Sequence, residues 1–281
     1  MGSLRFWPPS NGRASRPEVL LLEAVEMLFR ILYLGDKLVA LHSIRTAAYA
    51  AHLARECRAS NRSVFTVRLA GLLHDIGKLG VPRHLLYKAG TLLPEEFEAI
   101  KRHAEYGAHI LDQYTPLRFL AKPVRHVHEN FDGTGYPDGL KGHEIPLESR
   151  ILAVADAFDA LTTDRPYRQA LPVEEALRIL TLDAGRRWDP ELVEVFRRLW
   201  VEGRLGLAST PSLDGDGKGQ LDSALQWLSR LEWEMRGPLR PEEKAAGEIS
   251  TPPRLLGPKG ESAGQQWGAP LTSLAVACRQ R

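Results

Sequence analysis

LAGLLHDIGKLG, residues 69 to 80, sets a histidine beside an aspartate after an apolar run, with a lysine three residues on. On a helix His74 and Asp75 are about 100° apart, so a cation lying between them can take an imidazole nitrogen and a carboxylate oxygen. Lys78 lies one turn beyond His74, faces the same pocket and offers positive charge to an anionic substrate. An isolated His-Asp pair is more commonly a cap or a surface pair. The segments around it decide between the two readings.

Those segments read as helices. Ser63 is placed to cap the helix carrying His74 and Asp75, and Gly77 and Gly80 break it into a loop through residue 86. Pro94 opens PEEFEAIKRHAEYGAHIL, with acidic residues in the first turn and His103 in the interior. Gly107, one turn later, leaves room for another group to approach the imidazole. Upstream, Pro17 to Leu34 and Asp36 to Arg58 form two helical patterns. Ala47, Ala50, Ala51, Ala54 and Cys57 on the second suit close helix packing. Downstream, a helix from Leu117 to about Asn130, interrupted at Pro123, leads into the Gly-rich FDGTGYPDGLKGHEIP. SRILAVADAFDALTTDRPYR follows as a helix with Asp156 and Asp159 on one face, then helices at Val173 to Ala184 and Pro190 to Glu202. No segment has the two-residue alternation of a strand, so the expected class is all-α, a compact bundle of about seven or eight helices.

The 281 residues suffice for one large domain with appendages. Pro, Gly, Ser and Arg without periodicity make residues 1–16 an expected disordered leader, and 17–204 the folded domain. Residues 205–281 read as a linker, a short helix at Leu221 to Met235, and a tail of low order. DGDGKG at 214–219 starts like a calcium loop, but Leu225 stands where its last ligand belongs. A net charge of +2 with Lys and Arg scattered among acids gives no nucleic-acid surface. Two cysteines, Cys57 and Cys278, exclude a disulfide framework or thiolate metal site, and Glu23, Glu26 and Arg30 interrupt the apolar run at Val19 to Leu34, so no membrane span is expected. A cytoplasmic location is expected.

The ligand-capable residues within or at the ends of helices are His42, His74, Asp75, His103, His128 and Asp156, drawn from five segments. No local structural rule asks for such a set. Imidazole and carboxylate without thiolate suit iron, manganese or zinc, with Asp75 able to bridge two ions. Asp156, among the apolar residues of VADAFDAL, needs a cation if buried. His52, His84, His109 and His143 have no evident partner and read as solvated or core histidines.

HSIR at 42–45, HDIGKLGVP at 74–82, PEEFEAIKRH with GAHIL at 94–111, HENFDGTGYPDGLKGHEIP at 128–146 and RILAVADAFDALTTDRPYR at 150–168 together resemble the HD-GYP subgroup of HD-domain phosphohydrolases. The resemblance runs from about Asp36 to Phe196. It implies an all-helical, metal-dependent phosphodiesterase that hydrolyses cyclic di-GMP to the linear dinucleotide, a second round to GMP being left open, with iron or manganese as cofactor. It implies that His42, His74, Asp75 and Asp156 hold a first metal and that Asp75 bridges to a second held by His103 and His128. Catalysis then falls to His74, Asp75 and Lys78, with Lys78 on the scissile phosphate. Gly133, Gly135, Tyr136 and Pro137 border the substrate, and Asp159, Arg165 and Arg168 support the site or grip the nucleotide. Metals in such a site activate water and withdraw charge from the phosphoryl oxygens, and Lys78 adds positive charge where negative charge builds up.

Two positions depart from the subgroup. Val127 stands where the first of two adjacent histidines is usual, and Leu38 where trinuclear relatives carry a glutamate. His126 projects about 200° from His128 on a regular helix, so it substitutes only if Pro123 distorts the segment. The expectation is a dinuclear site at most, with a weakened second metal, and Val127→His should raise both metal content, by elemental analysis, and turnover. Two alternatives stay open: another HD-type phosphohydrolase, and a weak or degenerate module that binds the nucleotide or a signalling partner. A regulatory protein or a homodimer contact through the N-terminal helix is a further expected partner.

Overall fold

The computed structural model describes residues 16–164 and 168–205. Within them the chain folds as α1 (Arg16–Gly35), α2 (Lys37–Glu56), α3 (Asn61–Leu73), α4 (Arg83–Leu86), α5 (Pro94–Lys101), α6 (His103–Asp112), α7 (Arg118–Arg125), α8 (Leu147–Thr162), α9 (Val173–Leu182) and α10 (Pro190–Val201). Among the described residues there is no strand, only an isolated bridge between Ala184 and Trp188. The all-α expectation holds, and no described helix is long and apolar enough to cross a membrane. Arg16, the last residue of the expected leader, opens α1, and the rest of that leader, residues 1–15, and the expected helix at Leu221 to Met235 lie outside the described residues.

α2 and α8 form the centre. α2 starts where the Asp36 carboxylate accepts a hydrogen bond from the Val39 amide, and its alanine face lets α3 come in closely. A Cβ placed on Gly71 of α3 would lie 2.8 Å from the Ala47 Cα, the close approach that the run of small residues predicts. Tyr49 of α2, Phe158 of α8 and Phe196 of α10 meet edge to face, with centroids 5.2 Å apart for Tyr49 and Phe158 and 4.9 Å for Phe158 and Phe196. This fixes α8 against α2 and thus sets Asp156 and Asp159 opposite His42.

Local chemistry changes several element boundaries. Ser60, not Ser63, caps α3, and the helix ends at Leu73, so His74 is its C-cap and Asp75 leads into a 3₁₀ turn, Ile76–Gly80. The Asp-Ile-Gly-Lys backbone therefore turns at the dyad. The run from Pro94 to Leu111 is two helices rather than one, separated at Arg102, which puts His103 at the start of α6 and not in a helix interior. α7 stops at Arg125, two residues past Pro123, short of the expected Asn130.

Candidate active site

Three imidazoles of the site, His42, His74 and His103, are each aimed by a bond at Nδ1. His74 Nδ1 lies 2.7 Å from the Gly71 carbonyl oxygen, and His103 Nδ1 lies 2.6 Å from that of Ile100. In both cases the carbonyl belongs to the residue three positions earlier, so the helix end fixes the ring. A carbonyl can only accept, hence the proton sits on Nδ1 and the Nε2 lone pair points inward. His42 is aimed by a carboxylate, its Nδ1 lying 2.7 Å from Asp159 Oδ2.

The inward atoms form two groups. His42, His74 and Asp156 make one, and Asp75, His103 and His128 the other, each with its ligand atoms within 4.8 Å of one another. Asp75 sits between them, with Oδ2 3.5 Å from His74 Nε2 and Oδ1 3.7 Å from His103 Nε2. In the first group His42 Nε2 is 3.0 Å from Asp156 Oδ1. In the second His103 Nε2 is 2.8 Å from His128 Nε2. His74 Nε2 and Asp75 Oδ1 are buried with no hydrogen-bond partner. A buried lone pair left unpaired is costly, and a divalent cation is the partner that both a neutral imidazole and a carboxylate accept. The donor set thus fits a pair of metal ions.

Electrostatics agree with that fit. Burial alone would raise the Asp75 carboxyl, but His74, Lys78, His103 and His42 around it hold it well below the usual carboxylate range. Burial pushes the His103 imidazole down to about 4, reinforced by the charge of Lys78, and burial with His103 beside it depresses His128 strongly. Both rings are therefore neutral, the state a metal requires. His42 goes the other way: burial would lower it, but the Asp156 and Asp159 carboxylates raise it.

Lys78 donates to Asp75 Oδ2 over 2.6 Å. The two line a cleft of about 140 Å³ with His42, Arg45 and Asp159, and its far wall is Leu85, Tyr87 and Lys88. Residues 83–88 carry no sequence signal for a site and read only as part of a loop. They enter because α4 folds against α5.

Asp159 is 1% exposed, and both its oxygens are taken, Oδ1 by Arg45 Nε at 2.6 Å and Oδ2 by His42 Nδ1 and Arg45 Nη2. Of the two expected roles, support of the site is the one this placement favours over contact with a nucleotide. Asp159→Asn should weaken metal binding about 10- to 100-fold, the usual effect of removing an outer carboxylate behind a ligating histidine. Chelator competition measures it, and an unchanged affinity would leave Asp159 as packing alone.

The Gly-rich loop reaches the site through Tyr136, whose ring stacks on His128 with centroids 5.2 Å apart. Gly135 permits this, because a Cβ there would lie 2.1 Å from the Asn130 backbone nitrogen. Gly133 has φ +88°, a left-handed turn open to glycine, and the Tyr136–Pro137 peptide is cis. The loop is tied down by hydrogen bonds from the Phe131 and Asp132 amides to the carbonyls of Arg187 and Arg186.

Arg168 donates to the Leu161 and Ala160 carbonyls at the end of α8. Three expectations are corrected. His126 does not substitute for the missing ligand, because its Nε2 pairs with Asp138 and its Nδ1 meets the Lys122 carbonyl. Gly107 admits the Gly77 backbone rather than a group approaching His103. His143 has a partner, its Nδ1 2.9 Å from Arg150 Nη1. Arg165 lies outside the described residues. Val127 is buried in the apolar core, so Val127→His must draw its imidazole out of that core to become a ligand.

Comparison with known proteins gives the same picture. The HD domain family matches residues 26–192, more than half of the chain. A protein of Thermotoga maritima named cyclic di-GMP phosphodiesterase is 40% identical over 187 residues, covering 66% of this chain and 51% of the relative. A Vibrio cholerae protein named 3'3'-cGAMP-specific phosphodiesterase 3 is 38% identical over 191 residues, covering 68% of this chain and 42% of the relative. The chain thus spans about half the length of the curated relatives it matches. Among solved structures, a HDG"Y"P protein from Bdellovibrio bacteriovorus shares the fold, with TM-score 0.52, 16% identity, and coverage of 69% of this chain and 75% of that one. With the family match across the bundle and both ligand groups inside it, the chain belongs to the HD domain family, with the motifs of its HD-GYP subgroup.

Proposed function

We infer that the protein is a metal-dependent phosphodiesterase acting on a cyclic dinucleotide, cyclic di-GMP first among them. The observation that carries this is the pair of buried ligand groups on either side of Asp75, opening into a cleft that holds Lys78 and Arg45. Names borne by relatives at 38–40% identity supply the substrate class. Metal dependence goes with the family, and iron or manganese is the identity proposed from the all-nitrogen-and-oxygen donor set.

His42, His74, Asp75 and Asp156 would hold one ion and Asp75, His103 and His128 the other, and the ions when bound supply a nucleophile from water and positive charge against the phosphate. The chain's own residues do the rest. Lys78, anchored on Asp75, offers its ammonium to a phosphoryl oxygen as negative charge accumulates there. Arg45 and Asp159 hold His42 in its ligating tautomer. Tyr136 closes the loop over His128, narrowing access of bulk water to the second group. The mobile phosphodiester would enter along the wall formed by Leu85, Tyr87 and Lys88.

The test is elemental analysis of protein purified anaerobically, with hydrolysis of cyclic di-GMP and 3'3'-cGAMP followed under iron, manganese or no added metal. Metal with turnover of cyclic di-GMP supports the proposal. Preference for 3'3'-cGAMP would move the specificity to a mixed dinucleotide, and metal without hydrolysis of either would sink the assignment in favour of another phosphoester.

A further inference from the structure

A third group of ligand-capable side chains flanks His128 in the sequence and takes no part in the mechanism above. His126 at the end of α7, Glu129 three residues on, and Asp138 in the Gly-rich loop bring one ligand atom each within 4.8 Å of one another. His126 and Glu129 are buried, Glu129 to 3% exposure, and Asp138 opens the group to solvent. None of the three belongs to the two groups on either side of Asp75.

Two features of this group ask for a cation. Glu129 Oε1 accepts the Asp138 amide at 2.8 Å, and the Leu140 amide also faces this carboxyl, yet Oε2 is buried with no hydrogen-bond partner. The same orphaning marks His74 Nε2 and Asp75 Oδ1 in the site described above. A proton does not relieve it, because a buried O–H without an acceptor is as unsatisfied as a bare lone pair. At His126, Nδ1 lies 2.9 Å from the Lys122 carbonyl oxygen, which only accepts, so the proton of a neutral ring sits there and Nε2 presents a lone pair. That lone pair is 2.8 Å from Asp138 Oδ2, a second acceptor, and a divalent cation is a partner to both. Arg125 is the group the cation must displace, with Nε 2.8 Å from Asp138 Oδ2 and Nη2 2.7 Å from Oδ1. Its Nη2 also lies 3.4 Å from Glu105 Oε1, so it can release Oδ2 without being left unpaired.

We propose that His126, Glu129 and Asp138 form a further cation site, one that takes a first-row divalent ion such as zinc. One imidazole nitrogen with two carboxylate oxygens suits such an ion better than calcium or magnesium, which prefer oxygen alone. The ion joins the end of α7 to the Gly-rich loop at Asp138, two residues after Tyr136, and so helps to keep the Tyr136 ring on His128. Gly135 lies directly against Glu129, where a Cβ would be 2.4 Å from the Glu129 Cα, so loop and ligand are held together on that side as well. The site's role is to position the loop, away from the reacting atoms. This inference stands independently of the substrate assigned above.

Zinc binding to the full chain, by equilibrium dialysis with elemental analysis, tests it. Wild type should hold one equivalent more than Asp138→Asn or Glu129→Gln, each with unchanged circular dichroism. In a His74→Ala, Asp75→Asn chain, where the two-metal site is impaired, one equivalent should remain and should vanish on adding Asp138→Asn. Arg125→Gln removes the competing charge and should tighten this site about tenfold, whereas a loop merely loosened by loss of an ion pair would bind zinc more weakly. Zinc should also slow hydrogen exchange across residues 129–142 in the His74→Ala, Asp75→Asn chain, and not once Asp138→Asn is added. Equal zinc content in wild type, Asp138→Asn and Glu129→Gln would overturn the proposal, leaving His126, Asp138 and Arg125 as an ion-paired cluster alone. A His74→Ala, Asp75→Asn chain that keeps its zinc after Asp138→Asn would overturn it too, as would an Arg125→Gln chain that binds zinc no tighter than wild type. Should the His74→Ala, Asp75→Asn chain not fold, the wild type and the Arg125→Gln chain decide.

Discussion

Asp75→Ala should lower hydrolysis of a cyclic dinucleotide on the order of a thousandfold or more, equivalent to about 4 kcal/mol of lost transition-state stabilisation. The size follows from position: Asp75 faces both ligand groups, with one oxygen toward His74 and the other toward His103. Its removal takes a ligand from the second group, takes away the carboxylate oxygen beside His74 of the first, and leaves Lys78 without the carboxylate that anchors it. Because an unpaired buried ammonium also costs stability, Asp75→Asn is the companion variant, nearly isosteric and uncharged. Both should lose bound metal by elemental analysis, and His74→Ala should behave alike. Turnover within about tenfold of wild type in folded Asp75→Asn would show that the chemistry does not run through this carboxylate.

Gly77→Ala should destabilise the fold by at least about 3 kcal/mol, although only one methyl is added. The methyl would lie 1.9 Å from the His103 carbonyl oxygen and 2.5 Å from the Gly107 nitrogen, both backbone atoms, so no side chain can swing aside. Gly107 has no Cβ of its own, and one placed there would lie 3.4 Å from the Gly77 nitrogen, so the two glycines let the 3₁₀ turn lie directly on α6. That contact fixes the distance between Asp75 and His103. Urea unfolding should show a lowered midpoint, and metal should be lost preferentially from the second group. An unfolding midpoint like that of wild type would mean that the turn and α6 separate freely, against the packing described here.

The sequence exposes most of the helices and the types of ligand, because both depend on short-range rules. Capping residues, prolines at first turns and apolar periodicity act within a few positions, which is why α1, α2, α9 and α10 appear within a residue or two of where pattern reading sets them. The six ligand-capable residues lie in two clusters, His42, His74 and Asp156, and Asp75, His103 and His128. Where a local rule had rivals, the reading failed. Two serines could cap α3, and the helix hydrogen-bonds through Ser60. A continuous helical pattern ran through Arg102, and tertiary packing of the 3₁₀ turn on α6 accompanies a break there.

The sequence by itself therefore determined the class of fold, the chemistry of the donors and the helices that carry them. Tertiary structure alone decided the direction of each donor: that Asp159 turns both its oxygens to His42 and Arg45, that His126 turns to Asp138, and that Arg168 meets the carbonyls at the end of α8. The physical reason is range. His42 and Asp159 are 117 residues apart, and Arg45 and Asp159 114. No helical period or cap reaches so far, and the orientation of a buried side chain is set by whichever polar atoms the packed helices bring within hydrogen-bond distance.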